Sequence, residues 1–200
     1  VNGNLLVSGS GVETFTTNLA SMEAEGIEIG AAFGVDLDEA FGTENAGRVD
    51  FTFNLNWYLT QEFQNVDVLP ITDCLGYYGN ACDDVISEFR WNTRMTYAID
   101  DWQFSVLWRH LSGVDILPTQ AAEVFPDFRS IPAYDYFDLA VSYQVLESTN
   151  ITLSADNIFD KDPPIIGNTT AGTDINSGNT FPSNYDVLGT VYSMGINLRF

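Results

Sequence analysis

Residues 190–200 read TVYSMGINLRF, and from Tyr192 through Met194, Ile196 and Leu198 to Phe200 every second side chain is apolar. The intervening Val191, Ser193, Gly195, Asn197 and Arg199 are small or polar except for the valine. Side chains of an extended strand point alternately to its two faces, so this segment reads as a strand with one greasy face and one wet face. The ends of soluble domains are usually polar and frayed. An aromatic-terminated strand of this kind points instead to the wall of an outer-membrane β-barrel.

The same alternation recurs upstream, making about seven strands. Residues 25–37 set Ile27, Ile29, Ala31, Phe33, Val35 and Leu37 against Glu28, Gly30, Ala32, Gly34 and Asp36. Residues 49–59 set Val49, Phe51, Phe53, Leu55, Trp57 and Leu59 against Asp50, Thr52, Asn54, Asn56 and Tyr58. Residues 88–99, 102–109 and 137–145 follow the same rule, and 151–159 follow it weakly. Strands of soluble proteins cluster near five or six residues, whereas spanning strands need about 9 to 11, the figure most of these segments reach. Arg90, Arg94, Arg109 and Arg199 all fall on the polar face. A wet lumen there spares them the roughly 2–4 kcal/mol that a lipid-facing arginine costs near the midplane. Tyr97 with Phe104, and Trp91 with Trp108 and His110, fall at equal depth across the turn at Asp100 and Asp101, as girdle residues do.

The connections alternate in length. Residues 99–102 and 146–150 make tight turns, and 38–47 make a longer one at the same end. Residues 64–85, 112–134 and 160–186 make long loops at the other, which is the layout of periplasmic turns and extracellular loops. The expected fold is therefore all-β: an antiparallel up-and-down transmembrane β-barrel, of which these strands are the C-terminal part. Residues 1–16 then belong to an extracellular loop and 17–200 to strands and loops. Seven is odd, whereas single-chain bacterial barrels have even strand numbers. An open sheet in lipid would leave two edges of unpaired backbone groups, each costing several kcal/mol. A larger barrel is expected. The chain starts at Val1 without a basic and apolar leader, as a processed or truncated chain would.

Composition narrows the function. The formal net charge is -21 and Lys161 is the only lysine, so nucleic-acid binding, which needs clustered Lys and Arg, is not expected. Polybasic attachment to a membrane surface is not expected either. No apolar run approaches the roughly 18–20 residues of a spanning helix, which has no bearing on barrels. Cys74 and Cys82 are the only cysteines and His110 the only histidine. Zinc needs about four ligands, so no metal site is expected. In an oxidising compartment the two cysteines form a disulfide, and in a reducing one they stay as thiols. Asp73, Asp83 and Asp84 beside them fit a solvated acidic loop better than a Ca²⁺ site. His110 fits an interfacial side chain better than a ligand. Asp156, Asp160 and Asp162 are close in sequence without implying a catalytic pair. No nucleophile elbow, phosphate loop or dinucleotide fingerprint occurs, so no enzyme activity and no cofactor are expected.

Three stretches carry a resemblance. NLASMEAEGIEIGAAF (18–33) resembles the strand of TonB-dependent outer-membrane receptors in which an Asn precedes Gly-Val/Ile-Glu-Leu/Ile. SADNIFDKDPP (154–164) resembles their N-L-F-D-K strand end, with Ile158 for the leucine. GNTFPSNYDVLGTVYSMGINLRF (178–200) resembles their closing segment, N-T-x-P-x-x-Y-D-x-L-G-R-x-Y and a terminal phenylalanine strand, departing at Thr190, where that family often has arginine. The Cys74 to Cys82 loop, followed by Arg90, Asn92 and the strand at Trp102, is also similar to that family's.

The resemblance implies an active importer in the bacterial outer membrane. Its barrel of about 22 strands is closed by a plug and driven through TonB by the inner-membrane proton gradient. The plug and the TonB-contacting box are not among these residues, which supply wall, loops and part of a ligand vestibule. Tyr77, Tyr78, Phe125, Phe128, Tyr134 and Tyr136 are candidates to stack on a sugar ring or a flat chelate, and equally candidates to anchor the loops. The strand from Tyr192 to Phe200 resembles the signal read by the barrel-assembly machinery. The expected partners are that machinery, outer-membrane lipid, TonB through the plug, and a scarce small-molecule ligand such as a siderophore or carbohydrate. The rival readings are a passive porin or adhesion barrel, and a secreted soluble β-sandwich binding module.

Overall fold

The alternating segments form one antiparallel meander. The computed structural model describes residues 21–64, 66–82, 84–167, 170–172 and 175–199. In chain order its elements are β1 (Ser21–Asp36), α1 (Leu37–Phe41), β2 (Arg48–Gln64), β3 (Thr72–Asp73), β4 (Tyr77–Tyr78), β5 (Phe89–Ile99), β6 (Trp102–Leu111) and β7 (Val114–Ile116). There follow 3₁₀ turns at Ala121–Glu123 and Pro126–Phe128, then β8 (Ser130–Ile131), β9 (Tyr134–Leu146), β10 (Thr149–Asp156) and β11 (Val191–Leu198). The long strands lie in the order β1-β2-β5-β6-β9-β10-β11, with β3 added to β2. This is the up-and-down wall expected of the chain, and the sheet is open. The expected loop at 1–16 and the terminal Phe200 lie outside the described residues.

Register carries the two-faced pattern across the whole sheet. One row of paired residues runs Val35, Val49, Tyr97, Phe104, Val141, Leu153, Met194. The next runs Gly34, Asp50, Thr96, Ser105, Ala140, Ser154, Ser193. A slip of one residue in any pair would mix the two, because each strand's side chains alternate with period two. Hydroxyls on the polar face bond across strands, Thr96 to Ser105 at 3.3 Å and Ser154 to Ser193 at 2.6 Å.

No second layer covers the apolar face among the described residues. Tyr192, Met194 and Ile196 are 78%, 63% and 60% exposed, and Ile29, Phe33, Met95 and Phe104 are exposed with them. A contiguous apolar surface of this extent has to meet something other than water. Aromatics gather at its two ends. Towards the long loops Trp91 stacks on His110 with ring centres 3.7 Å apart, and Trp108 lies against Phe137 at 6.0 Å. Towards the tight turns Trp102 meets Tyr143 at 4.4 Å, and Tyr97 meets Phe104 at 6.4 Å. At about 3.4 Å per residue, the run from Trp91 to Ile99 spans about 27 Å along β5.

Several strands run beyond the alternating segments, β1 from Ser21, β2 to Gln64, β6 to Leu111 and β9 from Tyr134, and two ends fall short of them for local reasons. Leu37, which continues the alternation of β1, instead opens α1. The Asp36 carboxylate accepts hydrogen bonds from the backbone N–H of Asp38 at 3.0 Å and of Glu39 at 3.2 Å, and Gly42 ends the helix at φ 65. An N-cap and a left-handed C-cap are local signals that override a coincidental apolar residue. β10 ends at Asp156 rather than at residue 159, because Asn157 turns the chain at φ 51.

Candidate functional site: the loop core and its clasp

The buried core is not on the apolar face. It lies where the three long loops fold together over the loop end of the polar face. Tyr78, Val114, Ile116, Ile131, Ile166 and Phe181 form it with Tyr134, Tyr136 and Tyr185. Its scaffold is a second, three-stranded sheet, β4-β7-β8, with β4 and β7 parallel. Alternation in these short strands sends Tyr78, Ile116 and Ile131 into the core, while Tyr77, Asp115 and Ser130 fall in register on the opposite side. Cys74 and Cys82 form a disulfide, which packs with Leu117, Phe63 and Tyr77 in a smaller cluster. The Tyr78 hydroxyl donates to the backbone carbonyl of Phe128 and so joins two loops.

The third loop is fastened by charge. Arg109 of β6 holds Asp138 of β9 through Nε at 2.8 Å and Nη2 at 2.9 Å. The same guanidinium holds Asp186 at 3.1 Å and 2.6 Å. Its planar fork suits two carboxylates, and its face lies over the Tyr136 ring at 4.9 Å. The Asp186 backbone N–H donates to the Tyr136 hydroxyl at 3.2 Å. Asp138 also accepts from the Asn157 backbone N–H at 2.8 Å. Asn157 in turn bonds both backbone groups of Lys161, and its carbonyl accepts from the Thr190 hydroxyl at 2.8 Å. Asn184 donates to Asp84 at 2.6 Å, tying this loop to the disulfide loop. A hollow of about 440 Å³ lined by Arg109, Asp138, Asp156, Tyr185 and Asp186 remains beside the clasp.

Gly189 belongs to this clasp. Its φ is +66, and a Cβ there would come 2.4 Å from the Asp160 carboxylate, which accepts the Thr190 backbone N–H at 2.9 Å. Gly189→Val combines left-handed strain with that clash and is expected to cost about 2 kcal/mol or more. Limited proteolysis of the intact protein should then cut within residues 175–189, and an unchanged digestion pattern would show that the Asp160 contact is dispensable.

Burial shifts the loop tyrosines. It pushes the Tyr78 phenol up to about 12, helped by the charge of Asp115, and pushes Tyr185 higher, helped by Tyr134 and Tyr136. A raised phenol favours the protonated folded state, so this contribution is complete below about pH 10, the free-tyrosine value, and is lost as pH rises towards 12. Alkaline titration followed by phenolate absorbance should show a late group of tyrosines ionising together with loosening of the loops. Titration of every tyrosine near pH 10 would contradict the packing.

Of the residues that the sequence put forward for ligand contact, Tyr78 is fully buried, and Tyr134 and Tyr136 are buried within the loop core. Tyr77 and Phe128 are half-buried, and Phe125 is 77% exposed. His110 bonds Asp135 through Nδ1 at 2.7 Å, and Asp135 also accepts from the Trp108 indole. Asp73 accepts the Leu75 backbone N–H, and Asp83 lies outside the described residues. Among the described residues no group of three or more His, Cys, Asp or Glu side chains is placed to hold a metal ion. In the sequence Arg109 stands out only as a polar-face arginine, and Asp138 and Gly189 do not stand out by their chemistry. The sequence signal for the clasp was the resemblance itself, since Asn157, Lys161, Asn184, Asp186 and Gly189 are residues of the N-x-F-D-K and N-Y-D-x-L-G stretches.

No family model matches the chain, and no curated protein matches it. Solved structures do. A copper transporter, OprC, is 18% identical with a TM-score of 0.51, covering 88% of this chain and 22% of its own. A mutant of the ferric enterobactin receptor PfeA from Pseudomonas aeruginosa is 14% identical with a TM-score of 0.56, covering 92% of this chain and 23% of its own. A second PfeA mutant aligns equally well. The chain therefore spans less than a quarter of the proteins it matches, which are a transporter and a receptor rather than enzymes. Its fold is that of a section of their β-barrel wall with its long loops, the architecture that the resemblance to TonB-dependent receptors implied.

Proposed function

We propose that this chain is the C-terminal part of the barrel of an outer-membrane active transporter that imports a scarce small-molecule ligand with TonB-coupled energy. The observation that carries the reading is the division of one continuous sheet. An uncovered apolar face is bounded by two aromatic bands, and the opposite, polar face is packed at one end by folded loops. In this reading lipid covers the first face and an aqueous vestibule adjoins the second. The plug and the TonB-contacting segment belong to parts of the protein beyond these residues. The structural neighbours are named for copper and ferric enterobactin, so metal chelates are the first ligands to test, with carbohydrates next.

The test is uptake by cells carrying the full-length gene, with and without TonB. Accumulation of a labelled chelate or oligosaccharide that vanishes in the TonB-deficient strain supports the reading. Steady ion conductance by the intact purified protein, with TonB-independent uptake, would replace it with a passive porin. Phe125, the exposed aromatic of the candidate set, is the proposed ligand contact on the loop surface, and the half-buried Tyr77 and Phe128 are secondary candidates. Tyr192, Met194, Ile196 and Leu198 with Phe200 are the proposed assembly signal. Deletion of Phe200 should lower the outer-membrane fraction several-fold while leaving synthesis unchanged, and undiminished assembly would refute that role.

A further inference from the structure

The apolar face is not smooth. A groove of about 960 Å³ runs along β5, with Phe89, Trp91, Thr93 and Met95 along its length. Aromatic and aliphatic side chains of β2 form one bank, and Val106 and Trp108 of β6 form the other. The depression follows from one residue. In the paired row Ala31, Phe53, Thr93, Trp108, Phe137, Thr93 is the one small side chain that stands between rings, so the row dips there. From Phe89 to Met95 the groove is about 20 Å long along the strand. For a strand tilted by about 45° that is a depth of about 14 Å, close to half of the about 30 Å hydrocarbon core, or one leaflet.

The loop end of the groove does not close on lipid-like surface. Glu88 lines it and also lines a second, polar hollow of about 510 Å³ on the outer side of the β4-β7-β8 sheet. That hollow contains the in-register row Tyr77, Asp115, Ser130, with backbone of Gly76 and Gly113 around it. Among the described residues, neither Glu88 nor Asp115 has an ion-pair partner, neither carboxylate accepts a hydrogen bond, and no Lys or Arg lines the hollow. An aromatic ring beside free carboxylate and hydroxyl acceptors suits a head that donates hydroxyl hydrogen bonds and carries no negative charge. A phosphate head would face two carboxylates of its own sign, Glu88 and Asp115, with no cation to offset them.

We infer that the groove and the hollow together form one lipid seat, holding an acyl chain of an outer-leaflet glycolipid along β5 and its uncharged sugar head against Tyr77, Asp115 and Ser130. The inference rests on the membrane reading of the apolar face. Its occupant differs from ordinary annular lipid in two respects: the chain is confined between banks of side chains, and the head is selected by charge and hydroxyl pattern.

The experiment uses the full-length protein in phosphatidylcholine vesicles doped with a minor fraction of chain-brominated monoglucosyl diacylglycerol or chain-brominated phosphatidylglycerol. Quenching of Trp91, within the groove, is read as the difference between wild type and Trp91→Phe. Trp102, on the same face near the tight turns, is read likewise from Trp102→Phe. Trp91 should be quenched at a several-fold lower fraction of the glycolipid than of the anionic lipid, while Trp102 follows the bulk fraction of both. Thr93→Leu, which fills the dip, and Asp115→Ala, which removes a head acceptor, should each erase the preference at Trp91. If Trp91 responds to the two lipids as Trp102 does, or prefers the anionic one, the seat is refuted while the membrane reading stands. If neither tryptophan is quenched by any brominated lipid, the membrane reading itself fails.

Discussion

Alanine in place of Arg109 is expected to unfasten the loop between β10 and β11 from the wall. The guanidinium is the cation of the Asp138 and Asp186 pairs, and its removal leaves two carboxylates facing each other in a partly buried setting. Removing one partner of a fully buried pair costs about 3–5 kcal/mol, because the other charge is left uncompensated. These side chains keep between 13% and 29% of their exposure, so the expected cost is smaller, about 2–3 kcal/mol. Loss of the Asp186 anchor also removes the contact between its backbone and Tyr136, so the effect should spread to the buried Tyr185. Hydrogen exchange on the intact protein should show deprotection across residues 181–189 while β5 and β6 stay protected. Arg109→Lys should fall between the two, since an ammonium cannot bridge both carboxylates with paired bonds. Adding Asp138→Asn and Asp186→Asn to the alanine variant should recover part of the loss by removing the repulsion. Wild-type protection in Arg109→Ala would show that packing alone holds the loop.

The second large effect is expected from opening the disulfide. Cys74 and Cys82 are separated by eight residues, and closing so small a loop restricts the unfolded chain by about 2–3 kcal/mol in the chain-entropy account. Both cysteines are buried, and the segment between them carries Tyr78 into the loop core. Replacing both by serine should therefore raise exchange at Tyr77 and Tyr78 and expose the phenol that bonds Phe128, with β1 and β2 unaffected below Gln61. The reduced wild type should behave like the double variant. Identical exchange in oxidised and reduced protein would mean that the cluster of Leu117, Phe63 and Tyr77 holds the loop without the covalent link.

The two experiments probe parts of the molecule that differ in how visible they are in sequence. Each wall strand reports itself, because a residue's face is decided by its parity within a few neighbours, and the pattern repeats from strand to strand. Ile27, Phe51, Tyr97 and Met194 could be assigned to one face without knowing what they pair with. The limits of that signal are local too. Leu37 matched the parity of β1, but Asp36 and Gly42 capped a helix there, and the turn at Asn157 ended β10 before Ile158 and Phe159. The candidate ligand aromatics were legible as a set but not by role. Tyr78 and Phe125 both read as loop aromatics, and only packing separates the buried one from the exposed one.

The sequence by itself determined the strands, their two faces and the alternation of tight turns with long loops. Period-two patterning and turn chemistry act over a few residues, and the solvent preference of a side chain does not depend on distant partners. Only the tertiary structure decided that the long loops form a packed core over the polar face, clasped by Arg109. Those contacts join residues far apart in the chain, 77 positions between Arg109 and Asp186 and 100 between Asp84 and Asn184. No local pattern encodes such pairs, because they form only after the strands have brought the loop ends together at one rim.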